Sequence, residues 1–171
     1  SGVGRRYPSV RQAVIAKVAS TKAPVKIQPC RRNSGSCENA VALGCDTLMS
    51  APGQVNGPIK DAIKYLKDAG DIAAEYNLKL AIEFNSQHDV LNSLDVLTEL
   101  IEGANKPNCG YLIDAYHFTR SGVGGRGFEK VPSEKIYCFQ YSDLSPNPVT
   151  GVRRPTDRLP PGQGVVKWRE M

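Results

Sequence analysis

The stretch CGYLIDAYH, residues 109–117, contains a short apolar run that is opened by a glycine and closed by an acidic residue. The run predicts a buried strand that carries Asp114 at its carboxyl end and His117 in the loop beyond. A carboxylate in such a place is costly unless it is paired or bound to a metal ion. In a simpler interpretation Asp114 caps the next turn and His117 lies on the surface, and the segment taken alone favours it. The neighbouring segments change that balance.

Segments with helix and strand periodicity alternate on both sides of this stretch. Pro58 opens a long helix that ends at Asn77, and another helix begins at Asn92 or Ser93. Short apolar runs predict further strands over 45–50, 78–84 and 136–140. Strands that alternate with helices form right-handed βαβ units around a parallel sheet. The sequence therefore predicts an α/β fold.

The remaining segments carry weaker signals. Ser36 can cap a short helix through Leu43, a helical turn is expected near Pro132, and residues 143–164 are predicted as loop. Residues 1–35 have no clear assignment beyond a weakly amphipathic helix over 9–20 and a short strand over 25–27. We therefore divide the chain into an unassigned segment, 1–35, and a set of βα units over 36–171.

Oxygen-bearing side chains stand at or near the carboxyl ends of three consecutive predicted strands. They are Glu83, Asp114 and Gln140, spaced 31 and 26 residues apart, each about one βα repeat. In parallel sheets these strand ends form the ligand-binding edge. Two carboxylates and an amide oxygen form a hard ligand set that suits Mg²⁺, Mn²⁺ or Co²⁺. Each residue alone could be a strand-end capping residue, but three at equivalent positions favour a metal site.

Composition excludes several protein classes. The 171 residues carry a net charge of +5, but the basic residues are scattered and form no stripe interleaved with aromatic residues, so nucleic acid is an unfavoured partner. Five cysteines without CxxC spacing argue against a zinc knuckle or a disulfide framework. No apolar stretch approaches the ~20 residues that cross a bilayer. A cytoplasmic protein is the expectation.

Four segments resemble the xylose-isomerase-like TIM barrels: 80–85, 110–117, 139–143 and 158–164, with D-x-x-H and R-x-x-P-G-x-G as their distinctive elements. The resemblance runs from about residue 37 to 168. It implies a partial (β/α)₈ TIM barrel that holds about the third to sixth strands of the family. It also implies that Glu83 and Asp114 are metal ligands and that His117 contacts a substrate oxygen. Arg158 would hold the loop or an anionic group of the substrate.

The chain departs from the family pattern in two ways. Many sugar epimerases have histidine where this chain has Gln140, whereas some 3-dehydroshikimate dehydratases use glutamine as a ligand there. A complete barrel takes about 250 residues, and the glutamate that the family supplies from its last strand has no counterpart here. The chain is then a segment of a longer protein, or a partner completes the barrel. An open half-barrel would expose two sheet edges, so self-association is expected.

The leading functional hypothesis is a divalent-metal-dependent isomerase or epimerase of a small polyhydroxylated keto compound. Its chemistry is proton abstraction next to a carbonyl, with Glu83 as ligand and base and His117 shuttling a proton or orienting the substrate. The close alternative is a dehydratase of the 3-dehydroshikimate or inosose type. A non-catalytic scaffold remains open, and DNA repair of the endonuclease IV type is disfavoured because the chain has only two histidines.

Three further signals are discounted. The GxGxxG match at 122–127 opens no convincing helix, so we expect a loop there instead of a dinucleotide site. His88 is predicted to lie on the surface. Trp168, the only tryptophan, is predicted to serve packing.

Overall fold

The computed structural model describes residues 31–53, 57–151 and 156–171. The predicted helix over 9–20 and the strand over 25–27 lie outside these ranges. Within them the chain forms four longer strands, four α-helices, two 3₁₀ helices (Gly125–Lys130 and Ser133–Lys135) and a pair of two-residue strands. In chain order the α-helices and strands are α1 (Arg31–Ala42), β1 (Thr47–Ser50), α2 (Ile59–Glu75), β2 (Lys79–Ile82), α3 (Leu94–Ala104), β3 (Cys109–Asp114), α4 (Ala115–Arg120), β4 (Ile136–Gln140), β5 (Asp143–Leu144) and β6 (Arg158–Leu159).

Strands β1 to β4 form one parallel sheet in sequence order, and α2 and α3 connect consecutive strands. This confirms the predicted α/β fold with alternating strands and helices. Among the described residues, no strand pairs with the outer edges of β1 and β4. None of the described helices is long and apolar enough to cross a membrane.

Three helix boundaries have identifiable chemical causes, and two of them, at Pro58 and Ser93, were predicted. Pro58 is the N-cap of α2, with a φ of −64° that suits a helix start. The Ser93 hydroxyl accepts a hydrogen bond from the Val96 N–H and so caps α3. Asn105 ends α3 in the left-handed region, with a φ of 49° that asparagine tolerates better than most residues.

The sheet is curved and has two different faces. On the convex face, strand side chains such as Leu80, Ile82 and Ile113 pack with the helices in the main apolar core. The strand residues that alternate with them point to the concave face, where the Cys138 Sγ lies 3.5 Å from the Met49 Sδ. These residues belong to β4 and β1, which are not neighbours in the sheet. Contact across two intervening strands requires the curvature of a half-barrel.

Four predictions are corrected by the structure. Helix α1 begins at Arg31 and not at Ser36, and Gly44, with a φ of 69°, follows its end. His117 lies in helix α4, because Asp114 starts a helix at the point where a loop was predicted. A 3₁₀ helix occupies 125–130 within the predicted glycine-rich loop. The predicted loop over 143–164 contains β5 and β6, which pair antiparallel.

The C-terminal segment is anchored on Asp143, whose side chain is completely buried. Its Oδ1 accepts hydrogen bonds from the N–H groups of Leu144 and Val166, and its Oδ2 accepts from the Gly162 N–H and the Trp168 indole. A Cβ at Gly164 would lie 2.1 Å from the Leu144 carbonyl oxygen. The P-G-x-G element therefore needs its second glycine to let the backbone wrap this carboxylate.

We expect Asp143→Asn to destabilise the chain by about 2–4 kcal/mol, because an amide nitrogen would then face N–H donors. Burial opposes ionisation, but the hydrogen bonds from Trp168 and the backbone outweigh it, so the pKa of Asp143 is lowered. A lowered pKa means that the stabilisation is present above about pH 4 and is lost as the pH falls further. Urea unfolding at pH 7 and pH 3 measures this. Asp68→Asn, at an exposed position of α2, should change little at either pH.

Candidate active site

Three of the predicted site residues meet at the carboxyl end of the sheet. Glu83 follows β2, Asp114 ends β3, and His117 lies one turn into α4. One ligand atom from each lies within 4.8 Å of the other two. Their exposed fractions are 9% for Glu83, 1% for Asp114 and 3% for His117. Two carboxylates and an imidazole are thus gathered in a nearly dry site.

Asp114 is both a helix cap and one half of an ion pair. Its Oδ1 accepts a hydrogen bond from the Tyr116 N–H at 3.0 Å. Both carboxylate oxygens also face the Arg158 guanidinium, at 3.1 Å and 2.6 Å. Asp114 therefore caps the helix, as in the simpler interpretation, and also forms an ion pair with Arg158. A bidentate pair of this kind orients the carboxylate as well as stabilising its charge.

Glu83 carries the least satisfied polar atom of the cluster. Its Oε1 is buried and accepts no hydrogen bond from any residue that the structure describes. Burial and the adjacent Asp114 carboxylate together raise the pKa of Glu83 well above its ordinary value of 4.5, although Arg158 opposes the shift. An oxygen in this state has unused capacity for a proton or a cation.

His117 is held at both ring nitrogens. Its Nδ1 lies 3.2 Å from the Ser86 backbone nitrogen and 2.9 Å from the Ser86 hydroxyl. Its Nε2 lies 3.2 Å from the Arg158 Nη2, 3.8 Å from the Glu83 Oε1 and 4.0 Å from the Asp114 Oδ2. Burial lowers the pKa of His117 to about 4 against the opposing charge of Asp114. The imidazole is therefore neutral at pH 7.

Arg158 closes the site from the C-terminal segment. Besides Asp114 it contacts the Ser142 hydroxyl, and its guanidinium carbon lies 4.5 Å from the centre of the Tyr116 ring. The Tyr116 hydroxyl in turn donates to the Asp157 carboxylate at 2.5 Å, and Arg120 pairs with the same carboxylate at 3.2 Å. Ser86, Tyr116 and Asp157 also belong to the site and were not predicted as site residues. Only their positions beside predicted strand ends or site residues could have marked them.

Gln140 lies beside the cluster on β4, where its Cα is in register with that of Asp114. Strand alternation places Gln140 on the same face as Cys138, which is the concave face of the sheet. The backbone thus brings all three predicted metal ligands to one edge. Its role as a ligand remains a prediction.

The residues present fit a divalent cation. The buried Glu83 Oε1 lacks a partner among the described residues, and the Asp114 oxygens are occupied by a positively charged group. A cation at this place would meet two carboxylates, which is the donor chemistry of Mg²⁺ and Mn²⁺ sites. It would have to share or replace Arg158.

Glu83→Gln should stabilise the metal-free chain, increasingly so as the pH rises. A buried carboxyl with a raised pKa stabilises the fold below its unfolded pKa of ~4.3, and that contribution is lost as the pH rises through the folded pKa. The difference in unfolding free energy should grow by at most about 1.4 kcal/mol per pH unit. Asp114, His117 and Arg158 are the titratable groups facing Glu83 and are unchanged in the variant.

Chemical unfolding in a chelator between pH 5 and pH 8.5 measures this difference. Glu99→Gln, at an exposed position of α3, is the matched control. A Glu83→Gln difference that stays constant over this range would contradict the raised pKa.

Two of the discounted residues have clear roles. The prediction of a surface position for His88 is wrong, because the side chain is half-buried and its Nδ1 accepts from the N–H groups of Val90 and Leu91. His88 thereby shapes the loop after β2. Trp168 packs against the small cluster formed by Ala115, Tyr116, Leu144 and Val166, which confirms its predicted packing role.

Comparison with known proteins gives one family. The sequence model of the xylose isomerase-like TIM barrel family matches residues 20–171. An inosose isomerase of Bacillus subtilis (strain 168) is 26% identical over 139 residues, which are 77% of this chain and 50% of the relative. The chain thus spans about half the length of the curated relatives that it matches.

Solved structures agree on the fold. The IOLI protein, solved with a binding zinc atom, matches with a TM-score of 0.72 and 23% identity over 81% of this chain and 52% of that protein. The probable 3-DHS dehydratase AsbF of Bacillus anthracis matches with a TM-score of 0.62 and 17% identity over 80% of this chain and 57% of that protein. The four strands form a half-barrel, and the chain covers about half of each of these neighbours. Both observations confirm the predicted partial TIM barrel.

Proposed function

Because this chain belongs to the xylose isomerase-like TIM barrel family, we propose that it acts as a divalent-metal-dependent isomerase or epimerase of a small polyhydroxylated keto compound. The observation that carries the proposal is the buried Glu83 oxygen beside Asp114 and His117, which has no hydrogen-bond partner among the residues that the structure describes. The similarity to inosose isomerases supports a keto-cyclitol as the substrate class. The zinc atom in the IOLI structure supports a divalent ion.

Each site residue has a role that follows from its position. Glu83 and Asp114, with Gln140, would hold the metal ion, which supplies polarisation of a keto oxygen and an adjacent hydroxyl. Glu83 would also be the base that takes and returns the proton of the carbon next to the carbonyl. His117 contacts a substrate oxygen. Arg158 turns from Asp114 to a substrate oxygen or anionic group when the site is loaded.

Metal-dependent dehydration is the second candidate function. Gln140 favours it, because the resemblance noted above places glutamine in some dehydratases where epimerases have histidine. AsbF adds support at the level of the fold. The two reactions share proton abstraction next to a carbonyl and differ in the following step, which is reprotonation in one and loss of a β-hydroxyl in the other.

A substrate panel separates these reactions. The 171-residue chain with Mn²⁺ is incubated with an inosose, a ketohexose and 3-dehydroshikimate, and the products are separated by chromatography with ultraviolet detection. An isomer of equal mass supports the leading proposal, and a conjugated, ultraviolet-absorbing product supports dehydration. Absence of product with all three, in a chain shown to bind Mn²⁺, would favour the scaffold alternative. Cleavage of abasic DNA would favour repair.

We propose further that the outer edges of β1 and β4 pair with additional strands, supplied by a longer polypeptide or by a second copy of the chain. The support is that, within the described ranges, each is an edge strand of a parallel sheet, and such edges are normally covered. Analytical ultracentrifugation of the 171-residue chain tests this. A monodisperse monomer at all concentrations would exclude the second copy as the source.

A further inference from the structure

We propose that Ser86 is a positioning residue that fixes the tautomer of His117, so that Nδ1 is the acceptor nitrogen and Nε2 carries the proton on the side of the Glu83–Asp114 cluster. The tautomer itself follows from hydrogen-bond geometry. Its meaning for catalysis rests on the function proposed above, because that function gives His117 a substrate oxygen to contact.

Ser86 faces the Nδ1 side of the His117 ring. The Ser86 backbone N–H points at Nδ1 from 3.2 Å, and a backbone N–H can only donate. The Ser86 hydroxyl lies 2.9 Å from the same nitrogen and can donate as well. Nδ1 is therefore the acceptor nitrogen, and in the neutral imidazole the proton resides on Nε2.

The turn that carries Ser86 is itself fixed. The Asn85 side-chain oxygen accepts from the Gln87 N–H at 2.9 Å, and the Asn85 carbonyl accepts from the His88 N–H at 2.7 Å. The Asn85 N–H donates to the Leu91 carbonyl at 3.0 Å. Ser86 thus meets the imidazole from a closed loop and cannot easily turn its N–H elsewhere.

A second obligatory donor stands on the other side of the ring. The Arg158 Nη2 lies 3.2 Å from Nε2, and a guanidinium cannot accept. A neutral imidazole has only one lone pair for hydrogen bonding, so Ser86 and Arg158 compete for it. Arg158 retains the Asp114 carboxylate and the Ser142 hydroxyl as acceptors when it loses Nε2. The Nε2–H form requires the Arg158 Nη2 to turn from the ring toward these acceptors, which a flexible side chain can do and the fixed Ser86 backbone N–H cannot.

The tautomer determines which role His117 can have. With a proton on Nε2, the ring offers a donor toward the space beside the Glu83 Oε1 and the Asp114 Oδ2. A protonated Nε2 neither ligates a metal ion nor takes a proton. His117 is then a hydrogen-bond donor to a substrate oxygen, and the metal and base duties fall to the carboxylates, although all three residues lie close enough to share an ion.

The test is ¹⁵N NMR of the two imidazoles in the metal-free, ¹⁵N-labelled chain at pH 7. The chain has two histidines, so the signals that disappear in His117→Gln are those of His117. We expect His117 to show a pyridine-type Nδ1 and a pyrrole-type Nε2, with the Nε2–H form in about tenfold excess, because the fixed Ser86 backbone N–H donates to Nδ1. The reverse pattern, or equal populations, would overturn the proposal.

Three variants make the test specific. Ser86→Ala should move the two ¹⁵N shifts toward each other, and Ser86→Thr, which keeps the hydroxyl, should restore them. Arg158→Gln should leave the Nε2–H form dominant. Unchanged shifts in a folded Ser86→Ala chain would assign the tautomer to the Ser86 backbone N–H alone, which that variant keeps. A tautomer that changes with Arg158→Gln would show that Ser86 does not set it. Because no metal or substrate is present, failure here is distinct from failure of the proposed function.

Discussion

Replacement of Asp114 by asparagine is expected to weaken Mn²⁺ binding about 100-fold or more. Asp114 supplies one of the two carboxylates of the cluster, and its amide counterpart keeps the shape but loses the charge that a hard divalent ion requires. The change also leaves Arg158 beside an uncharged group, which adds a net repulsion for the ion. Calorimetric titration of Mn²⁺ into each protein measures the effect.

Asp68→Asn is the matched control, since it removes one carboxylate from an exposed position of α2. It should bind Mn²⁺ as the unsubstituted chain does. Circular dichroism establishes that both variants are folded. Equal Mn²⁺ affinity in the Asp114→Asn chain would place the ion elsewhere and remove Asp114 from the site.

Arg158→Gln is expected to change the same affinity in the opposite direction, with binding about 10-fold to 100-fold tighter. The guanidinium holds both oxygens of Asp114, at 3.1 Å and 2.6 Å, and a hydrogen-bonded charge pair of this kind contributes about 1.5–3 kcal/mol. An ion must compete with that interaction to reach the carboxylate. Removal of the guanidinium ends the competition.

Arg126→Gln is the control for Arg158→Gln, because Arg126 is an exposed arginine that pairs with Glu129. Its titration should match that of the unsubstituted chain. Weaker binding in the Arg158→Gln chain would mean that Arg158 organises the carboxylates for the ion and does not compete with it. The opposite signs expected for the two site variants exclude a general loss of folding as the explanation.

Local patterns made the strands and helices that carry the site predictable. Cys109–Asp114 is apolar throughout up to its final acid, and Pro58 and Ser93 are strong helix-start residues. The approach of Glu83 to Asp114 followed from topology alone, since parallel strands deliver their carboxyl ends to one edge. These inferences needed only residues that are close in sequence or one βα repeat apart.

The interactions that complete the site could not be predicted, because they join distant residues without a local pattern. Arg158 reaches Asp114 across 44 residues, and Ser86 reaches His117 across 31. The spacing of these residues in the sequence did not indicate that the Arg158 guanidinium would pair with Asp114, a proposed metal ligand. The start of α1 at Arg31 was missed for a related reason: the polar run around Gly35 has poor helix propensity and resembles a loop.

Solvent exchange tests the central claim most directly, because it detects proton abstraction even if the chain forms no product. The 171-residue chain and Mn²⁺ are incubated with an inosose in D₂O, and the deuterium content of the recovered inosose is measured by mass spectrometry. We predict Mn²⁺-dependent uptake of deuterium that is abolished by Glu83→Gln and retained in Glu99→Gln. Uptake that is equal in the Glu83→Gln chain, or no uptake by a chain that binds Mn²⁺ and the inosose, would contradict the proposed chemistry.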